Sequence, residues 1–205
     1  MKLTIFGATG GTGAQVLQQA LAAGHIVTIL ARDPAKVTTQ NPHLTVVAGN
    51  VLNQSDVEKA LAQAETVVCS LGNTGNNPAD VVSAGTQQIV NAMQRRGIKR
   101  LIVVSSLGVG DSKNQVPFFF KVLAATVLRK TMKDKEAQEA LVRASGLDWT
   151  IVRPGGLTDG PRTGGYRFGT DASLTAGQVT RADVADFILR ELERNEFVRM
   201  TPAIT

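Results

Sequence analysis

The stretch that decides the fold is MKLTIFGATGGTG, residues 1–13. Residues 3–6 are apolar and predict a buried strand, and Gly7, Gly10 and Gly13 then follow at the spacing of a turn that leads from a strand into a helix. In such a turn one glycine permits the tight bend, another lets the backbone approach a diphosphate, and the third lets the helix pack closely on the strand. The free amides and the dipole at the helix start favour an anion. The turn therefore predicts a dinucleotide site, provided that the rest of the chain supplies a strand–helix–strand unit.

Short apolar runs alternate with helical patterns along the rest of the chain. Further strands are predicted at residues 26–30, 44–48, 66–71, 101–105 and 149–152, and an edge strand at 197–201. Helices are predicted at residues 11–23, 77–96, 118–129 and 131–145, with capping boxes at 55–58 and 180–183 opening two more. Apolar strands separated by helices indicate a parallel sheet that is covered on both faces. We therefore predict an α/β fold, a Rossmann-like doubly wound parallel sheet with helices on both faces, in a single domain over residues 1–205.

Composition narrows the function classes. Hydrophobic residues make up 43% of the chain and charged residues 19%, which fits a globular protein and argues against a disordered or fibrous one. The net charge of +5 comes from scattered basic residues and aromatic residues are only 4%, so we expect no nucleic-acid partner. The apolar stretch 116–128 is too short to span a bilayer, so we expect no membrane partner. The one cysteine, Cys69, excludes an intrachain disulfide, and we expect no metal site, a cytoplasmic location, and a monomer or weak homo-oligomer.

The residues after the second predicted strand bear on the choice of coenzyme. An Asp or Glu at this place accepts a hydrogen bond from the ribose 2′-hydroxyl of NAD, whereas this chain has Ala31-Arg32-Asp33. Arg32 is a planar, permanently charged donor that suits a 2′-phosphate, and Lys36 adds a second positive charge nearby. Asp33 leaves a ribose contact open as the alternative. The pattern favours NADP(H) as the cofactor.

Four motifs together resemble a known family. GATGGTG at 7–13, ARD at 31–33, VVSS at 103–106 and IVRPGG at 151–156 are similar to the atypical short-chain dehydrogenase/reductases. The closest similarity in pattern is to the NmrA-like branch with the biliverdin and flavin reductases. The resemblance spans nearly the whole chain, and it implies a Rossmann-like fold with a bound nicotinamide nucleotide.

The resemblance also assigns expected contacts to individual positions. The glycine loop is expected to hold the pyrophosphate and Arg32 the 2′-phosphate. Asn50 and Val51 flank the adenine, Leu71 and Gly72 lie beside the ribose, and Pro154 and Gly155 lie beside the nicotinamide. The full predicted cofactor-binding set is Gly7, Thr9, Gly10, Gly11, Thr12, Gly13, Arg32, Lys36, Asn50, Val51, Leu71, Gly72, Ser105, Pro154 and Gly155.

The chain departs from the family at the catalytic pair. Typical members use Tyr-x-x-x-Lys, in which the lysine lowers the tyrosine pKa so that the phenol exchanges a proton at neutral pH. Here Lys135 fits the lysine position but Thr131 stands where the tyrosine belongs, and the single tyrosine, Tyr166, has Thr170 four positions later. A threonine hydroxyl is a poor acid, so we expect no carbonyl–alcohol chemistry by the usual relay.

Two functions remain open at this point. The first is an NADPH-dependent reductase that transfers hydride to a conjugated planar acceptor such as FMN, FAD, biliverdin or a quinone, which needs no protein phenol. The second is an NAD(P)-binding sensor or regulatory protein with no turnover. We expect Ser106 and Lys135 to be the catalytic residues of the reductase, with Ser106 bonding the acceptor or the carboxamide and Lys135 touching the nicotinamide ribose.

Three further features carry alternatives. Arg153 either pairs with a protein carboxylate or holds an acidic substrate. Phe118-Phe119-Phe120 places two rings in the core or forms an apolar wall for the acceptor. Residues 155–176 contain six glycines and predict a mobile flap over the site.

Overall fold

The computed structural model describes residues 1–73 and 77–205. Ten strands and six α-helices alternate along this part of the chain. The strands are β1 (Lys2–Phe6), β2 (Ile26–Ala31), β3 (Leu44–Ala48), β4 (Thr66–Cys69), β5 (Arg100–Val104), β6 (Asp148–Pro154), β7 (Gly156–Thr158), β8 (Phe168–Gly169), β9 (Gln178–Thr180) and β10 (Ala203–Ile204). The helices are α1 (Gly11–Ala22), α2 (Gln54–Ala60), α3 (Val81–Arg96), α4 (Phe118–Ala125), α5 (Arg129–Ala144) and α6 (Arg181–Arg194).

Eight strands form the main sheet in the order β3-β2-β1-β4-β5-β6-β10-β8. All neighbouring pairs are parallel except β10 with β8. The chain builds outward from β1 to β3 and then returns to β4 on the other side of β1. This reversal creates a topological switch point between β1 and β4, where ligands of open α/β sheets bind.

Side chains of each central strand alternate between two apolar layers. Leu3 and Ile5 of β1 pack with α1 and α6, whereas Phe6 packs on the opposite face with α2, α3 and α5. A sheet that is covered on both faces needs this alternation of two buried sides. The arrangement confirms the predicted doubly wound α/β fold. No helix in the described ranges combines the length and the apolar character needed to cross a bilayer.

Several predicted element bounds differ from the structure, among them the following three. Helix α2 begins at Gln54 rather than at a Ser55 cap, because the Asn53 side chain accepts from the amides of Ser55 and Asp56. Helix α3 begins at Val81, not at residues 77–78. Residues 197–201 do not form the edge strand: Met200 contributes one isolated bridge to Thr150, and the paired strand is β10.

The start of α3 is capped from another helix. The Asp80 side chain at the N-cap position makes no capping bond. The buried carboxylate of Asp134 on α5 instead accepts from the backbone amides of Val82, at 3.0 Å, and Ser83, at 2.9 Å. A carboxylate at a helix N-terminus satisfies orphan amides and favours the helix dipole. Asp134 therefore fixes α5 against the start of α3.

We expect Asp134→Ala to lower the free energy of unfolding by about 1–3 kcal/mol, because one buried and one partly buried amide lose their acceptor. Chemical denaturation monitored by circular dichroism measures the change. The control is Glu136→Ala on the same helix, which removes only an exposed ion pair with Lys113 and is expected to have little effect. Equal stability of the two variants contradicts the capping role.

Candidate functional site

A cleft of about 840 Å³ opens at the carboxyl ends of the central strands. It runs from the end of β2, across the switch point, to the ends of β5 and β6. Of the predicted site residues, those that line it are Gly7, Thr9, Gly10, Gly11, Thr12, Arg32, Asn50, Val51, Leu71, Gly72, Ser105, Ser106, Lys135, Pro154 and Gly155. Gly13 and Lys36 do not line the described part of the cleft. The volume lies in the range of small-molecule and cofactor pockets.

The glycine loop is shaped by two close backbone approaches. Gly7 has a φ of +83°, and a Cβ on it would lie 2.4 Å from the carbonyl oxygen of Ser70 at the end of β4. A Cβ on Gly13 would lie 2.1 Å from the carbonyl oxygen of Gly7. Gly13 thus lies behind the loop, where it lets α1 pack on the turn. Both positions therefore require glycine, as the corresponding positions of a dinucleotide-binding loop do.

The start of α1 fits an anion. No side chain caps the helix at Gly10, and its first turn contains no acidic residue. The first amides of a helix carry the positive end of its dipole and have no partner within the helix. Because this end of α1 lines the cleft, it suits the pyrophosphate of a dinucleotide.

Arg32 and Lys36 lie in different surroundings. Arg32 lines the cleft and donates through Nη1 to the Asn77 side-chain oxygen. The Lys36 ammonium is exposed and lies 3.7 Å from the Asp33 carboxylate in a short 3₁₀ turn. The structure therefore brings one of the two predicted cations to the cleft, whereas the other lies outside its described lining, beside Asp33.

The walls beside Arg32 are formed by the ends of β3 and β4. Asn50 and Val51 follow β3, and the Asn50 side-chain oxygen accepts from the amide of Leu52. Leu71 and Gly72 follow β4. All four positions line the cleft, so the structure brings together the residues that were expected around the adenosine part of a dinucleotide.

Two serines mark the opposite end of the cleft, directly after β5. The Ser105 hydroxyl is buried and donates to a carboxylate oxygen of Glu139 at 2.7 Å. The Ser106 hydroxyl is only partly buried and donates to the Leu107 carbonyl oxygen at 3.1 Å. Ser106 is therefore the serine whose hydroxyl is the freer to turn toward a ligand, because its present acceptor is a carbonyl of its own loop.

Arg153 is committed to protein carboxylates. Its buried guanidinium donates to both oxygens of Glu139, at 3.0 and 2.6 Å, and lies 2.5 Å from Asp111. Burial opposes the charge of Arg153, but the hydrogen bonds and attraction from Glu139 and Asp111 outweigh it and raise the arginine pKa. Of the two alternatives for Arg153, the structure therefore shows pairing with protein carboxylates and not an arginine free to bind an acidic substrate. The pair also supplies the acceptor for Ser105.

Lys135 reaches the cleft from α5. Its ammonium donates to the carbonyl oxygen of Val104, the last residue of β5, at 3.1 Å. Burial lowers the lysine pKa, against the attraction of the nearby Glu139 and Asp134 carboxylates. Thr131, one turn earlier on α5, lines the same cleft, at the position where the resemblance implies the family's tyrosine.

The chain's single tyrosine lies elsewhere. The Tyr166 hydroxyl donates to Asp186 on α6 at 2.7 Å, and burial together with this bond raises the pKa of Tyr166 to about 12. Tyr166 does not line the described part of the cleft. Neither its position nor its pKa suits it to replace the missing phenol.

Residues 155–176 are tied down at several points rather than hanging free. Strand β7 pairs with β9, and β8 pairs with β10 at the sheet edge. The buried Asp183 carboxylate of α6 accepts from the amides of Thr163, at 2.8 Å, and Gly164, at 2.9 Å. The predicted mobile flap is therefore anchored to α6 in this structure.

The three phenylalanines are arranged differently from both expectations. Phe118 and Phe119 are 80% and 72% exposed, and only Phe120 is partly buried, against Leu107 and Val116. None of the three lines the described part of the cleft. They form neither a core pair nor a wall for an acceptor.

The charge of the cleft lining has one sign. Among the described lining residues, the charged ones are Arg32, Lys135 and Arg181, and none is acidic. Sequence reasoning missed Arg181, because it stands in a capping motif that predicts only a helix start. Its side chain lies across Gly11 at the start of α1, a contact between distant parts of the chain that no local pattern reveals.

A comparison with protein-family models matches residues 7–195 to a model described as NAD(P)H-binding. The matched segment covers most of the chain and includes the glycine loop, Arg32, both serines, Lys135 and Arg181. The dinucleotide prediction made from residues 7–13 is therefore confirmed at the level of the family.

The chain is similar along nearly its whole length to several proteins and solved structures. An uncharacterised chloroplastic protein of Arabidopsis thaliana is 29% identical, over 95% of this chain and 73% of its own length. The structure of the anaerobilin reductase ChuY from Escherichia coli has a TM-score of 0.85 at 27% identity, covering 100% of this chain and 96% of that one. A putative NAD-dependent epimerase/dehydratase from Bacillus halodurans has a TM-score of 0.84 at 26% identity, covering 100% and 93%. These neighbours are consistent with an atypical short-chain dehydrogenase/reductase, and the chloroplastic relative leaves the cytoplasmic location a prediction.

Proposed function

This chain belongs to the NAD(P)H-binding family, and from that premise we propose that it is an NADPH-dependent reductase of a conjugated planar acceptor. The observation that carries the proposal is the make-up of the cleft: cationic side chains and a helix N-terminus for phosphates, with Thr131 in place of the phenol. A flavin, bilin or quinone ring delocalises the charge that hydride brings, so its reduction does not require a protein phenol. The full-length similarity to a protein named as an anaerobilin reductase supports the reductase class.

The coenzyme fits the residues present. The α1 amides would hold the pyrophosphate, Arg32 the 2′-phosphate, Val51 and Leu71 the adenosine, and Pro154 with Gly155 the nicotinamide end. When bound, the reduced nicotinamide supplies a hydride to a ring stacked on it. The protein's part is orientation and exclusion of water, which bring the two rings to reacting distance.

Two side chains act at the nicotinamide end in this proposal. The Ser106 hydroxyl turns from the Leu107 carbonyl to hydrogen-bond the acceptor, and the acceptor takes its proton from solvent or through that hydroxyl. Lys135 donates to the Val104 carbonyl and, when protonated, retains further donors for the ribose hydroxyls. The Thr131 hydroxyl is too weak an acid to donate a proton at neutral pH. The proposed acceptors are therefore those whose reduction needs no acidic side chain.

The central experiment is turnover of NADPH with FMN, FAD and biliverdin, followed at the nicotinamide absorbance band. We expect oxidation with at least one of them, and Ser106→Ala is expected to reduce kcat about tenfold with unchanged NADPH affinity, because one hydrogen bond to the acceptor is lost. Tight NADPH binding without turnover on any acceptor would instead establish the sensor alternative. An unchanged kcat in Ser106→Ala removes Ser106 from the reaction.

We expect Arg32→Ala to weaken NADPH binding about tenfold to a hundredfold and to leave NADH binding nearly unchanged, because only NADPH carries the phosphate that the guanidinium would bind. Calorimetric titration of both coenzymes measures the difference. Lys36→Ala is the matched control, since this nearby cation lies outside the cleft and is expected to change neither affinity. Equal losses for both coenzymes in Arg32→Ala contradict a 2′-phosphate contact.

We expect kcat/KM to fall on the alkaline side as Lys135 loses its proton. Because burial lowers the lysine pKa, this fall begins at a lower pH than an exposed lysine, of pKa about 10.4, would give. Activity is present below the Lys135 pKa and is lost as pH rises through it. Lys135→Arg keeps its charge and is expected to move the fall to higher pH, whereas an identical profile in that variant contradicts the role of Lys135.

A further inference from the structure

The side chain of Arg181 lies over Gly11, the first residue of α1. A Cβ on Gly11 would lie 2.7 Å from both Cδ and Nε of Arg181, so this arginine can occupy its place only because residue 11 is glycine. Arg181 is the first residue of α6, and the Thr180 cap fixes the direction in which the helix begins. Two helix starts that are 170 residues apart along the chain therefore meet at the glycine loop.

The guanidinium has donors to spare. Among the described residues its hydrogen-bond partner is Asp159, which accepts from Nη1 at 2.7 Å. The Asp159 side chain is 91% exposed, whereas that of Arg181 is 28% exposed. An arginine has five N–H groups in a fixed fork, and Arg181 lines the cleft, so the N–H groups that do not bond Asp159 are available to a ligand there. A cation held at this place by one exposed carboxylate is poorly explained by stability, because exposed ion pairs contribute little.

Each of the three cations that line the described part of the cleft lies where a different part of a bound dinucleotide would be. Arg32 follows β2, where a 2′-phosphate would lie, and Lys135 touches the end of β5 near the nicotinamide ribose. Arg181 lies over the start of α1, where the pyrophosphate would lie. We propose that Arg181 is the side-chain ligand of the coenzyme pyrophosphate and that Asp159 is its positioning residue. This inference rests on the proposed function, because it requires a bound dinucleotide.

The pair also joins the coenzyme side of the cleft to the acceptor side. Asp159 directly follows β7, and Leu157 of β7 lines the cleft beyond Pro154 and Gly155. A pyrophosphate bound to Arg181 would thus contact the side chain that pairs with the residue following β7.

The test is a comparison of ligands. We expect Arg181→Ala to weaken NADPH and NADH about equally, by tenfold to a hundredfold, and to leave adenosine 2′-monophosphate unchanged, because that ligand contains no diphosphate. Arg32→Ala gives the opposite pattern, with losses for NADPH and for adenosine 2′-monophosphate only. Arg162→Ala is the matched control, since it breaks another arginine–aspartate pair between the same two segments outside the cleft.

The positioning role of Asp159 is tested by a double-mutant cycle. Asp159→Asn is expected to weaken both coenzymes about threefold in the wild-type background and to have no effect in Arg181→Ala, because it acts only through the arginine. The same threefold loss in both backgrounds, or tighter binding in Asp159→Asn, contradicts this role. Arg181→Lys, which keeps the charge without the fork, is expected to recover part of the lost affinity.

The outcomes distinguish failure of the proposed function from failure of the proposed Arg181–pyrophosphate contact. Wild-type protein that binds neither NADH nor NADPH overturns the proposed function. Wild-type binding together with an unaffected Arg181→Ala variant overturns the pyrophosphate contact alone. Loss of all three ligands in Arg181→Ala, with a lowered melting temperature, assigns the arginine to structure and also overturns it.

Discussion

The whole arrangement depends on how closely the backbone of the first turn approaches its neighbours. Gly7 lies against the carbonyl of Ser70 at the switch point, and Gly13 lies against the carbonyl of Gly7. Any side chain at either position forces the turn outward and moves α1 away from β1 and β4. The cleft, the exposed amides of α1 and the place of Arg181 all follow from this packing. The glycines therefore set the geometry before any ligand is considered.

The acidic side chains near the cleft are paired within the protein, whereas basic side chains line the cleft itself. The carboxylates near the nicotinamide end are turned away: Glu139 is held by Arg153 and Ser105, and Asp134 caps α3. Unpaired buried carboxylates would raise the cost of bringing phosphates into the same region. Because both are satisfied behind the lining, the charged side chains among the described lining residues are all cationic. The positive potential of the cleft is thus maintained by hydrogen bonds that lie outside it.

The sequence predicted what local patterns encode. The central strands and the doubly wound parallel class followed from apolar runs separated by helices, and Arg32 followed from its position after a strand. Contacts between distant segments were not accessible in this way: the cap of α3 comes from Asp134 on another helix, and Arg181 reaches Gly11 from the far end of the chain. Lys36 is an intermediate case, since it is close to Arg32 in sequence but its exposed side chain lies outside the described lining of the cleft.

The threonine at position 131 restricts what Lys135 can do. In a Tyr-x-x-x-Lys pair the ammonium lowers a phenol pKa, but Thr131 offers no phenol, and Tyr166 is bound to Asp186 with its pKa raised. What remains for Lys135 is its bond to the Val104 carbonyl and the donors that face the cleft. Those donors can orient a ribose, and they leave proton supply to the acceptor and the solvent. The missing phenol is then consistent with the proposed acceptor class, because a conjugated ring stabilises the added electrons itself.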